Sequence, residues 1–450
     1  MKTIFVTIFQ GVEARNILRT DIYKKLAKTP YVRLVLFVDS EAKKEYYKKE
    51  FNGPNIVYQV IENYIAKGLL QKLFGAIKFN LINTATIDIK RKLLFNSDKS
   101  FIKFLYRYFF NRIFARRFFR RIVRWLDWYL ISEDFFSSYF DKYKPSLVFL
   151  AHLFGGVEIA MLREAKHRGV TTVGLINSWD KITARAMVRL LPDWLMVHND
   201  LVKDDAVKYI DIPERQIIAV GVPHFDYYFK EKRTPADQFY EKLGLSRDKK
   251  NILYLPVGRT ASDDDWDMLE FFDEIISSGR LNFPCQVIVR FPPNDEVVVK
   301  KSYKNKFIFQ IPGKRFSSKR GMDWDMNFAD FRSLADTLYY SDVVVGYPST
   351  MMIDAAIFDK PIINIKFERK IHPMNFVLWA YKVAHYQFIL KTGGVRLANN
   401  ENELVKWLNN YLDDPRLDNE GRRKLVSSQC LSVDGQAGRR VADFLIKRLS

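Results

Sequence analysis

The feature of this 450-residue chain that most constrains its fold is a series of short, nearly continuous apolar runs alternating with helix-like stretches. Residues 3–9, 32–38 and 56–61 are such runs, with a helical pattern over 14–28 and a charged helical stretch after Val38. The alternation returns at 146–151, 171–176, 194–197 and 216–220. Strands that are apolar along their whole length are buried on both faces, and helices between them imply parallel crossovers. A polar, turn-rich stretch at 224–250 then precedes a second series at 252–257, 286–290, 307–311, 343–346 and 361–365. The expected fold is α/β, with two Rossmann-like domains facing a cleft. The expected N-terminal domain covers 1–225 with a helical insertion at about 65–144, and the C-terminal domain covers 245–433. A closing amphipathic helix follows over 434–450, with Val441, Phe444, Leu445 and Leu449 on its apolar face.

Two domains also suit the length. An aromatic share of 15% argues against disorder, because large rings need somewhere to be buried. Cys285 and Cys430 are too few for a secreted disulfide framework or a cysteine metal site, and are expected to be buried thiols in a reducing compartment. The run from Met1 to Phe9 stops at Gln10 without a small-residue cleavage site, so it reads as a first strand and not as a signal peptide. No stretch of 18 or more residues lacks a charge, and no transmembrane helix is expected.

The net charge of +20 is concentrated at one end: residues 1–150 hold 28 Lys and Arg against 13 Asp and Glu. Lys99 to Arg124 contains nine basic residues and no acidic one, interleaved with Phe and Tyr. Arg112, Arg116, Arg120 and Arg124 recur every four residues, which on one helix makes a cationic stripe. Such a stripe beside aromatic residues fits the interface of an anionic bilayer. An ordinary domain helix with solvated arginines fits it too. Single-stranded nucleic acid is the less favoured partner, because no recognised motif accompanies the charge. The expected location is cytoplasmic, peripheral at the inner face of the cell membrane.

The segment from Ser341 to Ile365 carries the clearest chemical signal. A buried strand ends in a small turn, Ser349 or Thr350 opens a helix, and another strand begins after Pro361. Free amides at a helix start, on the carboxyl edge of a parallel sheet, suit an anion. Asp354, about one turn further on, is placed to accept from ribose hydroxyls. The alternative is a plain cap with a first-turn acid. The acidic cluster Asp263, Asp264, Asp265 and Asp267 suits a helix dipole and matches no calcium loop, so neither a metal nor any other cofactor is expected.

This segment resembles the donor-binding region of glycosyltransferases with the GT-B fold. The stretches 175–183, 192–199 and 217–226 are similar to the middle of bacterial surface-polysaccharide transferases, and 434–440 resembles their closing helix. The resemblance covers roughly residues 146–449. It implies a nucleotide-activated donor bound mainly by the second domain, and a saccharide or lipid-linked acceptor held by the first. Carried over by position are Ser349, Thr350 and Asp354, with Gly258 and Arg259 on the loop after the domain's first strand. A guanidinium at Arg259, or at Arg290 on the next strand, would neutralise a diphosphate leaving group. For the base that takes the acceptor proton, Asp180 is the first candidate and Glu158 and His152 are reserves.

The neighbouring CDP-glycerol glycerophosphotransferases share this layout but typically carry a histidine after the tryptophan of the middle motif and another in an Arg-Pro-His-Pro-like turn. Here those places read Trp179-Asp180-Lys181 and Arg290-Phe291-Pro292-Pro293. Sugar transfer is therefore ranked ahead of glycerophosphate transfer, and a UDP-sugar 2-epimerase third. A non-enzymatic basic binding module is the alternative of another class.

Overall fold

Seven parallel strands build the first sheet: β1 (Lys2–Thr7), β2 (Val32–Val38), β3 (Ile56–Val60), β4 (Leu147–Leu150), β5 (Thr171–Leu175), β6 (Trp194–Val197) and β7 (Ile217–Ala219). Their spatial order is β3-β2-β1-β4-β5-β6-β7. The winding reverses between β1 and β4, where Ile4 lies opposite Leu34 on one side and Leu147 on the other. Such a reversal opens a crevice at the carboxyl ends of the two strands. The structure is a computed structural model and describes residues 1–449 except 63, 67, 259–264, 296, 317–322 and 370–376. It divides into two units, Met1–Asp226 with Cys430–Ser450, and Tyr227–Gln429.

Two apolar layers sandwich the first sheet. One gathers Phe5, Phe37, Phe136, Phe140 and Val148; the other gathers Ile4, Leu34, Leu147 and Val173 with Val441, Ala442, Leu445 and Leu449 of the helix Ala437–Lys447. That C-terminal helix is thus part of the first unit's core. Its first two amides, of Ala437 and Gly438, donate to the Asp226 carboxylate at 3.0 and 2.8 Å. Gly438 packs tightly there, where a Cβ would stand 3.1 Å from the Asp21 amide nitrogen.

Four helices form the basic insertion: Leu69–Ile77, Ala85–Asp98, Phe101–Phe114 and Arg117–Leu130. The arginine ladder is not one stripe, since the helix breaks at Ala115 and Arg116, where Arg116 is extended at ψ 152°. Arg112 remains outside, in an ion pair with Asp88, and Arg116 is exposed. Arg120 and Arg124 correct the expectation of a membrane-facing row: both turn inward onto Asp211. Arg120 holds it with Nη2 at 2.6 Å and Nε at 2.8 Å, and Arg124 with Nη1 at 2.8 Å. The physical reason is that Asp211 is buried, and a buried carboxylate needs charged partners. A second buried cluster fixes the same helix, with Asp127 between Arg163 and Arg189. Among the described residues no helix is long and apolar enough to cross a membrane.

The second unit repeats the winding with β8 (Lys250–Leu255), β9 (Cys285–Arg290), β10 (Ile308–Gln310), β13 (Val343–Gly346), β14 (Ile362–Ile365) and β15 (Arg396–Ala398), all parallel, in the order β10-β9-β8-β13-β14-β15. A small antiparallel pair, β11 (Lys314–Arg315) and β12 (Trp324–Asp325), stands apart from the sheet. Here the reversal lies between β8 and β13. The two strands approach tightly at Gly346, where a Cβ would meet the Leu255 Cβ at 3.0 Å. Both sheets are therefore Rossmann-like. Cys285 and Cys430 are buried, and neither is in a disulfide.

Candidate functional site

On the first unit the three residues expected to handle the acceptor emerge from neighbouring strand ends. His152 follows β4 and is buried. Glu158 lies in the first turn of the helix Gly156–His167, also buried. Its carboxylate folds back over Gly155, where a Cβ would come within 2.0 Å of Oε2. Asp180 follows β5 in a turn, half-buried, and accepts a hydrogen bond from the Ser178 hydroxyl at 2.5 Å.

Two residues that sequence reasoning passed over complete this edge. Glu13 folds back over the loop after β1, its Oε2 accepting from the amides of Phe9 at 2.6 Å and Gln10 at 3.1 Å. Lys181, the neighbour of Asp180, is 7% exposed and interacts electrostatically with Asp180, Glu13, Glu158 and His152. The signal for Glu13 was its place three residues after Gln10, as in a capping box. Lys181 had no signal beyond its place in the middle motif.

The charge states here follow from burial. Burial and the neighbouring Glu13 charge push the Glu158 carboxyl up to about 8. Burial pushes Glu13 up to about 7, against the amides of Phe9 and Gln10. Burial, with Lys181, Arg185 and Lys78 alongside, pushes His152 down to about 3, so its ring is neutral at physiological pH. The Lys181 ammonium is likewise lowered by burial. Of the three candidates, Asp180 alone is half-exposed, and an accessible carboxylate is the group that can meet an incoming hydroxyl.

On the second unit the expected donor residues scatter in role. Gly258 sits at φ +85° after β8, and its amide donates to Asp265 at 2.9 Å. Asp265 also takes the Val257 amide at 2.9 Å, so this acid of the 263–267 cluster closes the β8 loop. Arg259, Asp263 and Asp264 lie outside the described residues. Arg290 is a correction: it is buried, with hydrogen bonds to Gln310 at 2.6 Å, Ser333 at 3.2 Å and the Asp330 carbonyl at 3.2 Å, and so does not extend toward a leaving group. Burial pushes its guanidinium down to about 10.

Asp354 is a second correction. It is buried, and the Tyr228 hydroxyl donates to its carboxylate, so it is engaged within the unit and not presented to a ribose. The helix Met351–Ile357 starts at Met351, and neither Ser349 nor Thr350 caps it through a side chain. The amides of Met352, Ile353 and Asp354 already donate to the carbonyls of Ser349 and Thr350. Ser349 and Thr350 themselves are half-buried at this end of β13.

A family model described as CDP-glycerol:poly(glycerophosphate) glycerophosphotransferase matches residues 129–447. Among curated proteins none matches the sequence. Solved structures similar to the chain include the UDP-GlcNAc 2-epimerase from Neisseria meningitidis bound to UDP-GlcNAc, at 10% identity and a TM-score of 0.55, covering 99% of this chain and 100% of that one. The wall teichoic acid polymerase TagF, in a variant soaked with CDPG, aligns at 13% identity and 0.52, covering 100% of this chain and 88% of that one. A glycosyltransferase from Rickettsia africae ESF-5 aligns at 11% and 0.51, covering 100% and 99%. At these identities the likeness shows the fold alone, two units each built on a Rossmann-like parallel sheet as in GT-B proteins. The family match spans well over half of the chain, and the chain belongs to the CDP-glycerol:poly(glycerophosphate) glycerophosphotransferase family of transferases.

Proposed function

We propose that this transferase moves a glycosyl group from a nucleotide sugar to a hydroxyl of a surface-polymer or lipid-linked acceptor, with Asp180 as the base. The observation that carries this reading is Asp180 itself, a half-exposed carboxylate at the end of β5 where glycerophosphate enzymes typically place a histidine. A carboxylate is a base suited to deprotonating a sugar hydroxyl during inversion. Buried, high-pKa Glu158 supports the site electrostatically and does not act as the base. Glycerophosphate transfer from CDP-glycerol is the second reading, favoured by the family match.

The test is a panel of UDP-, GDP-, CMP- and CDP-linked compounds, CDP-glycerol included, scored by melting temperature and then by donor turnover. A ligand at 100 times its dissociation constant adds about 2.7 kcal/mol, a visible shift. The expected result is a response to a nucleotide sugar and none to CDP-glycerol. Asp180→Asn should abolish turnover and keep the thermal response. A response to CDP-glycerol alone establishes the second reading, and turnover undiminished in Asp180→Asn removes that residue from catalysis.

The acceptor's membrane context belongs to the same proposal. Phe101, Ile102, Tyr106, Phe109, Ile113, Phe118 and Trp125 are all more than half exposed, and Lys103, Arg116 and Arg121 are exposed beside them. An anionic bilayer complements both sets at once. Vesicles with increasing anionic lipid should sediment the protein in a salt-sensitive way, and substitution of Ile102 and Phe109 by serine should release it. Binding independent of anionic lipid would remove the membrane from the proposal.

A further inference from the structure

The carboxyl edge of the first sheet gathers buried polar atoms that have no hydrogen-bond partner among the described residues. Asn177, two residues after β5 and 1% exposed, has neither Oδ1 nor Nδ2 engaged. Glu13, with Oε2 on two amides, leaves Oε1 without a partner. The Lys181 side chain, 7% exposed, brings an ammonium into the electrostatic reach of Glu13 and Asp180. These groups are neighbours. Asn16, one turn beyond Glu13 on the helix Gly11–Ile17, donates its Nδ2 to the Asn177 carbonyl at 3.3 Å, and Lys181 interacts electrostatically with Glu13.

Buried polar groups in native proteins are almost always satisfied, so a cluster of unsatisfied ones marks where a ligand or ordered water completes the network. The chemistry of this set is mixed. Glu13 Oε1 and Asn177 Oδ1 accept, while Asn177 Nδ2 and Lys181 Nζ donate. Adjacent hydroxyls meet that pattern, because each hydroxyl both gives and takes a hydrogen bond. A purely anionic group would leave the two acceptors unmet, and an apolar one would leave all four. We propose that Glu13, Asn177 and Lys181 form a subsite for a vicinal diol, the hydroxyl-bearing end of the acceptor, beside Asp180. The assignment to the acceptor rests on the transferase reading above, whereas diol recognition itself does not.

The test uses the full chain and saturation-transfer NMR with four probes: glycerol and methyl α-mannopyranoside, which carry vicinal diols, and 1,3-propanediol and methoxyethanol, which do not. Each is titrated to 100 mM, alone and with the nucleotide that gives the largest thermal shift. The expected result is at least five-fold greater saturation of the diol probes. Asn177→Asp, isosteric and lacking the amide donor, and Lys181→Gln should each reduce it to the level of 1,3-propanediol, with an unchanged melting temperature as evidence of folding. If one variant is unfolded, the other decides. Equal saturation of all four probes, or diol binding unaffected in a folded variant, overturns the subsite. Donor response without diol binding overturns the subsite and leaves the transferase reading standing. Diol binding with no donor response retains the subsite and removes the transferase reading.

Discussion

Replacing Asp127 with asparagine tests whether the basic insertion is held by buried charge. Both carboxylate oxygens are engaged: the Arg189 Nε reaches Oδ2 at 2.5 Å and its Nη2 reaches Oδ1 at 3.0 Å, while Arg163 pairs with Oδ1 and donates Nη1 to the Asp127 carbonyl at 3.0 Å. Asp127 and Arg163 are fully buried and Arg189 is 3% exposed. The amide would leave two guanidinium ions facing one neutral partner, away from water. Breaking a single buried pair costs about 3–5 kcal/mol, and two orphaned cations place this variant at the upper end. For a unit of this size about 1 kcal/mol lowers the melting temperature by about 2–4 °C, so the drop should be about 10–20 °C. The assay is thermal unfolding by circular dichroism, together with tryptophan fluorescence, since Trp128 on the same helix stacks on His167 at 4.2 Å. A drop below about 2 °C would refute the reasoning, because it would mean that the guanidinium ions reach water or other acceptors. A triple replacement by Leu and Met of similar volume should recover most of the loss, as apolar substitutes for a whole buried cluster often do.

Stability of the first unit should fall as pH rises from about 6.5 to about 8. The Glu158 carboxyl is raised from 4.5 to about 8 in the folded state, so its contribution is full below 4.5 and is lost as pH climbs through 8. The lowered His152 and His198 oppose this only below 6.5, because their contribution is present above that value and lost on acidification. Glu158→Gln should flatten the alkaline slope, and an unchanged slope in urea titrations would contradict the assignment. In the second unit, Tyr228→Phe removes one hydrogen bond to buried Asp354 and should cost about 1.5–3 kcal/mol, read from the denaturant midpoint. Gly421→Ala should be more damaging than surface Gly→Ala changes. Its Cβ would sit 2.3 Å from the Gly393 carbonyl carbon, and backbone cannot swing aside, so a loss near the top of the 1–3 kcal/mol overpacking range, about 3, is expected in the same titration.

The strands were legible because in a sheet covered on both faces burial and strand formation select the same apolar residues, as at 32–38 and 343–346. Two kinds of element escaped. β15, Arg396–Ala398, is three residues long with an arginine in it, and the pair β11–β12 is two residues a side, too short for periodicity. The arginine ladder misled for a different reason. Spacing of four implies one face only while one helix continues, and the break at Ala115–Arg116 lets Arg120 and Arg124 turn to Asp211, a partner 91 residues away from Arg120. The edge of the first sheet was legible in outline: Asp180, Glu158 and His152 follow strand ends, which sequence can locate. Sequence shows where a side chain leaves a sheet edge but not what it then bonds. That is why Asp354 and Arg290 read as ligand contacts when Tyr228 and Gln310 hold them, and why Lys181 and Glu13 read as nothing.

The return of the last helix to the first sheet has a consequence for biosynthesis. When Asp226 leaves the ribosome, the apolar layer of β1, β2 and β4 still lacks Val441, Ala442 and Leu445, and the Asp226 carboxylate still lacks the two amides it will accept from. The whole of the second unit must be translated first, an interval of about 10–40 s at ordinary elongation rates. Throughout it a greasy trough on the nascent chain stays open, an invitation to chaperones, and a message truncated before codon 437 would release a product in which that trough is never filled.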